Sequence, residues 1–294
     1  MINLFQSAEY LPWVGFVVGS CLGSFLNVVA YRIPRGISVV QPRSSCPKCM
    51  VAIPWTLNIP VLGWMFLKGR ARCCGNKISP HYFIIELTLG FVFAWVFHSF
   101  LFHQDIGLLL AYSMFSWILI AVVVIDFETM LIPDRLSIGG AFLGFFLSLF
   151  FPSLHGITHH PMGLERLLGG ITSLVGILVG SGLLYWIGAV ASRAFGRDAL
   201  GEGDVKLLGC VGAFCGWKGA IFCIFGGAVL GTILLIPMYI VQRIRSSAGR
   251  DENKLMFGME IPFGPYLALA ALGYFFGLKK WIDPWFQWVD QLSY

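Results

Sequence analysis

Charge is scarce in this 294-residue chain: Asp, Glu, Lys and Arg together make up only 12% of it. An ordinary soluble domain carries about 25%, so a soluble globular protein is excluded. Acidic side chains are missing altogether from residues 31–81. No Lys or Arg precedes Arg32, so the basic n-region of a signal peptide is lacking. The first apolar run is therefore expected to persist as a helix in the mature protein. The sequence displays no internal repeat, no low-complexity segment and no glycine-rich dinucleotide fingerprint. No Ser-His or Cys-His arrangement suggests a covalent nucleophile.

What is present is apolar. Hydrophobic residues make up 57% of the chain, 26 of them Phe, and the mean hydropathy is +0.78. A crossing needs about 20 apolar residues. Eight runs qualify as candidates, at 10–30, 82–102, 106–125, 136–151, 167–190, 205–217, 219–241 and 262–278. The expected fold is an all-α polytopic membrane protein of about eight transmembrane helices, with a small Cys-containing cytoplasmic subdomain between helices 1 and 2. The sixth run is short enough for a tilted or partly sunken helix.

Basic residues set the orientation. Arg32, Arg35, Arg43, Lys48, Lys68, Arg70, Arg72 and Lys77 all lie in residues 31–81, which the positive-inside rule places in the cytoplasm. Threading eight spans from there puts Arg135, Arg193, Arg197, Lys206, Arg243, Arg245, Arg250 and Lys254 on the same side. Only Arg166, Lys218, Lys279 and Lys280 fall outside. Both termini are then expected outside. The net charge of +5 is accounted for by orientation and by attraction to anionic lipid, with no role for nucleic acid.

Residues 31–81 form a polar stretch too small to hold a core without a metal or staple. They contain Cys46-Pro47-Lys48-Cys49, then Cys73 and Cys74. Disulfides are disfavoured in a reducing compartment, and CxxC followed by further Cys suggests structural zinc. A clean second CxxC would need Cys at position 71, where Ala71 stands, and adjacent cysteines do not easily place both sulfurs on one ion. A lapsed site, or three thiolates completed by another ligand such as His81, remains open. Cys21, Cys210, Cys215 and Cys223 lie in apolar runs and read as packing residues. The outer loop 152–166, with His155, His159 and His160, reads as solvated, with a metal site as the minor alternative.

Two acids stand out. Asp126 ends an apolar run, and Asp204 closes Gly201-Glu202-Gly203-Asp204 before another. An ionisable group at the end of a spanning helix is a functional-site candidate. Glu128 and Asp134 nearby read as solvated, and Pro133 stops the helix from running through to Asp134. Glycines beside Asp204 permit close backbone approach, and Asp204 is also suited to capping the following helix. Two carboxyls held about 3 Å apart share one proton. Such a pair can direct water onto a peptide carbonyl by general acid–base catalysis. A proton- or ion-coupled transporter is the reading from another class. Against it, the acids cluster at one face and no matching pair of broken helices is evident.

Further motifs run through the chain in order. They are Gly23-Ser24-Phe25-Leu26-Asn27, Arg32-Ile33-Pro34, the Cys46 motif, Asn58-Ile59-Pro60-Val61-Leu62-Gly63-Trp64 and Glu86-Leu87. Asp126 with Leu131-Ile132-Pro133-Asp134 follows, then Gly201 to Leu208, and finally Ile261-Pro262-Phe263-Gly264-Pro265-Tyr266. With these motifs the chain resembles the prepilin peptidases (type IV leader peptidases), membrane aspartyl proteases of the GxGD class. The resemblance implies removal of a basic leader from type IV prepilins or pseudopilins, serving pili or secretion, at the cytoplasmic face of a bacterial inner membrane. It implies Asp126 and Asp204 as the catalytic pair. Gly201, Gly203, Lys206, Pro262, Phe263, Gly264 and Pro265 would be the supporting motif. Many members also N-methylate the new terminus with S-adenosylmethionine, and a peptidase without that second activity is the alternative. Residues 1–81 would be the methyltransferase region and 82–294 the peptidase. The family often carries two complete CxxC pairs, from which Ala71 departs. Cys46, Cys49, Cys73 and Cys74 are the candidate zinc ligands.

Overall fold

A computed structural model describes residues 8–286, other than 42, 47, 104, 159–160, 197–199 and 248–261. Pro47, His159, His160, Arg197, Arg250, Lys254 and Ile261 lie outside the described residues, as do the side chains of Phe102, Arg243 and Arg245. The described chain is helical. Its helices are α1 (Leu11–Arg32), α2 (Leu62–Phe66), α3 (Pro80–His103), α4 (Ile106–Thr129), α5 (Asp134–Phe150), α6 (Met162–Phe195), α7 (Glu202–Ser247), α8 (Gly264–Gly273) and α9 (Lys279–Ile282). Among the described residues, strand pairing is limited to two isolated antiparallel bridges, Ser45–Ala52 and Arg70–Lys77.

The protein is a multi-pass membrane protein, but eight full crossings are not what its helices provide. Among the described residues, five helices are long and apolar enough to span: α1, α3, α4, α6 and α7. The fourth expected run became α5, with 17 residues, about 25 Å at 1.5 Å per residue against a hydrocarbon core of about 30 Å. The eighth became a continuous helical run from Gly264 to Ile282, in which a π-helical turn, Tyr274–Leu278, joins α8 to α9. The sixth and seventh runs are two helices within α7, and they meet at Gly216, whose φ of 69° and ψ of −179° leave the helical region. At the break the Ala213 carbonyl accepts from Ser173 Oγ at 3.0 Å and Ser148 Oγ at 3.3 Å. Those hydroxyls supply donors where the helical ladder is interrupted.

The chain divides into two compact units, Met1–Ala121 and Val122–Tyr294. In the first, α1 and α3 pack antiparallel along a glycine face. A side chain at Gly15 would strike Phe93 and Phe97, one at Gly19 Leu89 and Phe93, and one at Gly23 Glu86. These glycines recur every four residues, the small-residue spacing that lets membrane helices approach closely. Trp117 of α4 donates from Nε1 to the Leu22 carbonyl at 3.1 Å and stacks on Phe25.

In the second unit, α7 packs against α5, α6 and α8. Its closest approach is to α6, where a Cβ on Gly176 would collide with the Gly212 backbone and one on Gly212 with Gly176. The loop after α5 is not simply solvated. Pro152–His155 forms a 3-10 turn, and His155 Nε2 lies 2.9 Å from Ser148 Oγ.

Replacing Gly212 with Leu should separate α6 from α7. The cost expected for an overfilled contact is about 1–3 kcal/mol or more, read as a lower melting temperature in detergent. Gly182→Leu, on the same α6 but with nothing within 4 Å of its Cβ position, should leave melting unchanged.

Candidate active site

Asp126 sits in the last turn of α4. The helix stops because Met130 takes a left-handed φ of 53°, and its amide donates to the Asp126 carbonyl at 2.9 Å, an αL cap. Pro133 then starts α5 with an extended backbone. The Asp126 side chain turns inward and is only 4% exposed. Its carboxylate accepts from the amide of Gly264, the first residue of α8, where helix N–H groups are free. A Cβ at Gly264 would lie 2.6 Å from Asp126 Oδ2, so only glycine fits.

Asp204 is the third residue of α7 and 8% exposed. It is not the N-cap residue. From the first turn its carboxylate reaches back to accept the amide of Gly201, the side-chain half of a capping box. The Asp126 and Asp204 carboxylates are close enough to repel one another. Ile132 fills the angle between their supports, packing against the Cβ positions of both Gly203 (3.0 Å) and Gly264 (2.9 Å).

The other acids are sorted away from this pair. Glu128 and Asp134 are exposed. Lys206 pairs with Asp134 at 2.9 Å and approaches Glu202 at 3.8 Å, so it joins α7 to the start of α5. Among the described residues, no ion pair links a basic side chain to Asp126 or Asp204. Pro262 and Phe263 lead into α8, whose Gly264 and Pro265 are buried. Ile132 and the Gly264 amide were not foreseen in these roles. Each sits beside a motif residue, but only the folded contacts reveal what it touches.

The first unit holds a buried acid of its own. Glu86 is 9% exposed, and its Oε2 accepts the Val61 amide at 2.7 Å. It is also hydrogen-bonded to Ser24. Val61 has a φ of 63°, a conformation that is an outlier for a β-branched residue, so Glu86 fixes a strained turn.

In the same unit the sulfurs of Cys46, Cys49, Cys73 and Cys74 all lie within 4.8 Å of one another. Cys49 and Cys73 are 3.2 Å apart, Cys46 and Cys74 3.7 Å, and the adjacent Cys73 and Cys74 3.8 Å. A tetrahedron of thiolates about 2.3 Å from zinc has edges of about 3.8 Å, so this donor set fits one soft divalent cation. Adjacent cysteines thus do reach a common centre. Amides of Cys49 and then Lys48 hold the Cys46 thiol down, from 9.0 to about 6. The hydrogen bond Cys73 shares with Cys49, followed by burial, pushes the Cys73 thiol up to about 12.

Fold and site together describe a polytopic α-helical membrane protein with two buried carboxylates near one another. The chain belongs to the type IV leader peptidase family, which it matches over residues 113–236, while residues 17–100 match the bacterial peptidase A24 N-terminal domain. It is 37% identical over 209 residues to a prepilin leader peptidase/N-methyltransferase of Klebsiella pneumoniae, covering 69% of this chain and 84% of that protein. It is 33% identical over 309 residues to the protein of that name from Myxococcus xanthus (strain DK1622), covering 87% of each. The Dichelobacter nodosus protein is 31% identical over 280 residues, covering 85% of this chain and 86% of the relative. No solved structure matches the chain.

The Cys46 thiolate is stabilised by the Cys49 and Lys48 amides. The stabilisation this thiolate gives the metal-free loop is fully present above the ordinary value of 9.0 and is lost as pH falls through about 6. Thiolate absorbance of the metal-free protein should therefore show a first step near pH 6, and Cys46→Ser should remove it.

Proposed function

We propose that Asp126 and Asp204 are the catalytic pair of an endopeptidase that removes the basic leader from type IV prepilins or pseudopilins. The observation that carries this reading is the burial of two mutually repelling carboxylates whose hydrogen bonds come from the Gly264 and Gly201 amides. Such a pair carries one proton between its members. The ionised member takes a proton from water as that water attacks the scissile carbonyl. The protonated member donates to the carbonyl oxygen, and collapse of the adduct passes a proton to the leaving amine. No covalent intermediate forms.

The neighbouring motif residues position the pair. Gly201 and Gly264 supply amides, Gly203 admits Ile132, and Pro262, Phe263 and Pro265 shape the entry to α8. Lys206 holds Asp134, keeping the inner loop against α7. The basic residues of 31–81 support a cytoplasmic placement of that region and of the acid pair, with both termini outside and the chain in a bacterial inner membrane. The substrate would be an apolar helix in the bilayer, with its cleavage site at the boundary.

Residues 1–81 are proposed as the region serving N-methylation of the new terminus and 82–294 as the peptidase. The names of the relatives support the second activity. S-adenosylmethionine would be its methyl donor. Zinc on Cys46, Cys49, Cys73 and Cys74 would staple the basic loop and supply no catalysis.

Asp126→Asn and Asp204→Asn should each lower leader cleavage of a purified prepilin by at least about 100-fold, with unchanged melting in detergent. Full cleavage by either variant refutes the pair. Gly264→Ala should also impair cleavage, because its methyl displaces Asp126. Mass spectrometry of the mature pilin, with and without S-adenosylmethionine, should detect one added methyl group. Its absence leaves a peptidase alone.

A further inference from the structure

The Cys loop is two copies of one backbone knuckle, although the sequence hides the repeat. In the first, Ser45 bridges Ala52. In the second, Arg70 bridges Lys77. The Cys46 amide donates to the Val51 carbonyl at 2.9 Å, and the Ala71 amide to Asn76 at 2.8 Å. The Met50 amide donates to the Cys46 carbonyl at 2.9 Å, and the Gly75 amide to Ala71 at 2.8 Å. Met50 and Gly75 both have left-handed φ, 58° and 70°. Every pair is offset by the same 25 positions, as 46 is from 71.

This register fixes correspondences. Cys74 takes the place of Cys49, Ala71 that of Cys46, and Cys73 that of Lys48. In the first knuckle Lys48 is exposed and contributes only its amide to Cys46. In the second, the equivalent side chain carries a sulfur that lies 3.2 Å from Cys49 and 3.8 Å from Cys74.

We infer that Cys73 supplies the fourth thiolate of a soft divalent metal site from a displaced position, replacing the ligand that the knuckle would carry at residue 71. The inference rests on the metal reading of the cluster given above. The displacement is possible because a CxxC knuckle needs one sulfur at its tip and a second within one S···S edge of it. Cys74 provides the tip. Asn76 Nδ2 donates to Cys74 Sγ at 3.2 Å, an outer contact that orients that sulfur. Residue 73 projects its sulfur towards the opposite knuckle, where Cys49 waits.

The test uses the full chain purified in detergent, loaded with zinc and then challenged with a chelator. Cys73→Ala should weaken zinc retention by more than about 100-fold, beyond the scale that outer-shell changes alone reach. The double substitution Ala71→Cys with Cys73→Ala should restore it, since a sulfur at 71 would meet the amides of residues 73 and 74 as Cys46 meets those of 48 and 49. Cobalt substitution provides a second readout that does not depend on affinity. Sulfur-to-cobalt charge-transfer absorption should report four thiolates in the parent and the double variant, and three in Cys73→Ala. Melting of each variant reports folding. A parent that binds no zinc or cobalt overturns the metal reading itself. A parent with four thiolates and a Cys73→Ala variant that keeps both affinity and spectrum overturns the role of Cys73 alone. Failure of the double variant to recover while still folded overturns the correspondence of position 71.

Discussion

Two carboxylates can be buried at helix ends only if something donates to them, and here the donors are backbone amides. Gly264 serves Asp126 and Gly201 serves Asp204. A lysine or arginine in either role would hold its acid ionised and oppose the shared proton the chemistry needs. An amide offers a hydrogen bond without a compensating full charge. The nearby cation, Lys206, is engaged by Asp134 and Glu202. The need for amides in turn dictates glycine. At 264 any Cβ would occupy the space of the Asp126 carboxylate, and at 203 it would press on Ile132. Gly264 is thus a spatial requirement of the acid beside it, and Gly203 of the Ile132 side chain.

The same economy of side chains governs the helices. Lipid supplies no hydrophobic drive between helices, so association depends on close packing. In the first unit Gly15, Gly19 and Gly23 bring α1 onto the backbone of α3. In the second, Gly176 and Gly212 do so for α6 and α7. Each unit holds a buried acid function at the end of such a packed interface. In the first it is Glu86, next to Gly23, which restrains the strained turn at Val61. In the second it is Asp204, at the start of the helix that Gly212 packs.

Apolar runs, the Cys motif and the two acids were legible in the sequence because each has a local signature: length of hydrophobic stretch, spacing of thiols, or a charge where lipid is expected. Three features were not legible. The break in α7 falls where the runs 205–217 and 219–241 were expected to part, yet nothing in residue type marks Gly216, rather than Gly209 or Gly212, as the residue whose φ makes it. His155 looked like a loop residue, whereas contact with Ser148 ties it to the carbonyls at that break. Asp204 suited the N-cap by residue type, but the cap position falls on Gly201 and Asp204 lies three residues later. In each case the deciding quantity is a dihedral angle or a contact distant in sequence, which residue type alone does not encode.

The Cys loop illustrates how a small polar region is held without a core. Its hydrophobic content is mostly exposed: Val40, Met50, Trp55 and Phe66 are each more than 70% accessible. A segment of this length cannot be stabilised by burial alone. Its fixed points are local. The Arg32 guanidinium holds the Ser38 carbonyl at one end. Glu86 fixes Val61 in the middle, and Trp64 reaches the Ile78 carbonyl and stacks on Phe83 at the other end. Between these anchors the two knuckles touch through their sulfurs. A shared cation there would tie residues 46–49 to 73–74, closing a loop of more than two dozen residues whose ordering entropy would otherwise oppose the fold. That requirement is indifferent to which residue of the second knuckle carries the sulfur, provided it reaches the centre. It explains how the loop tolerates alanine at position 71 when a thiol is available two residues later.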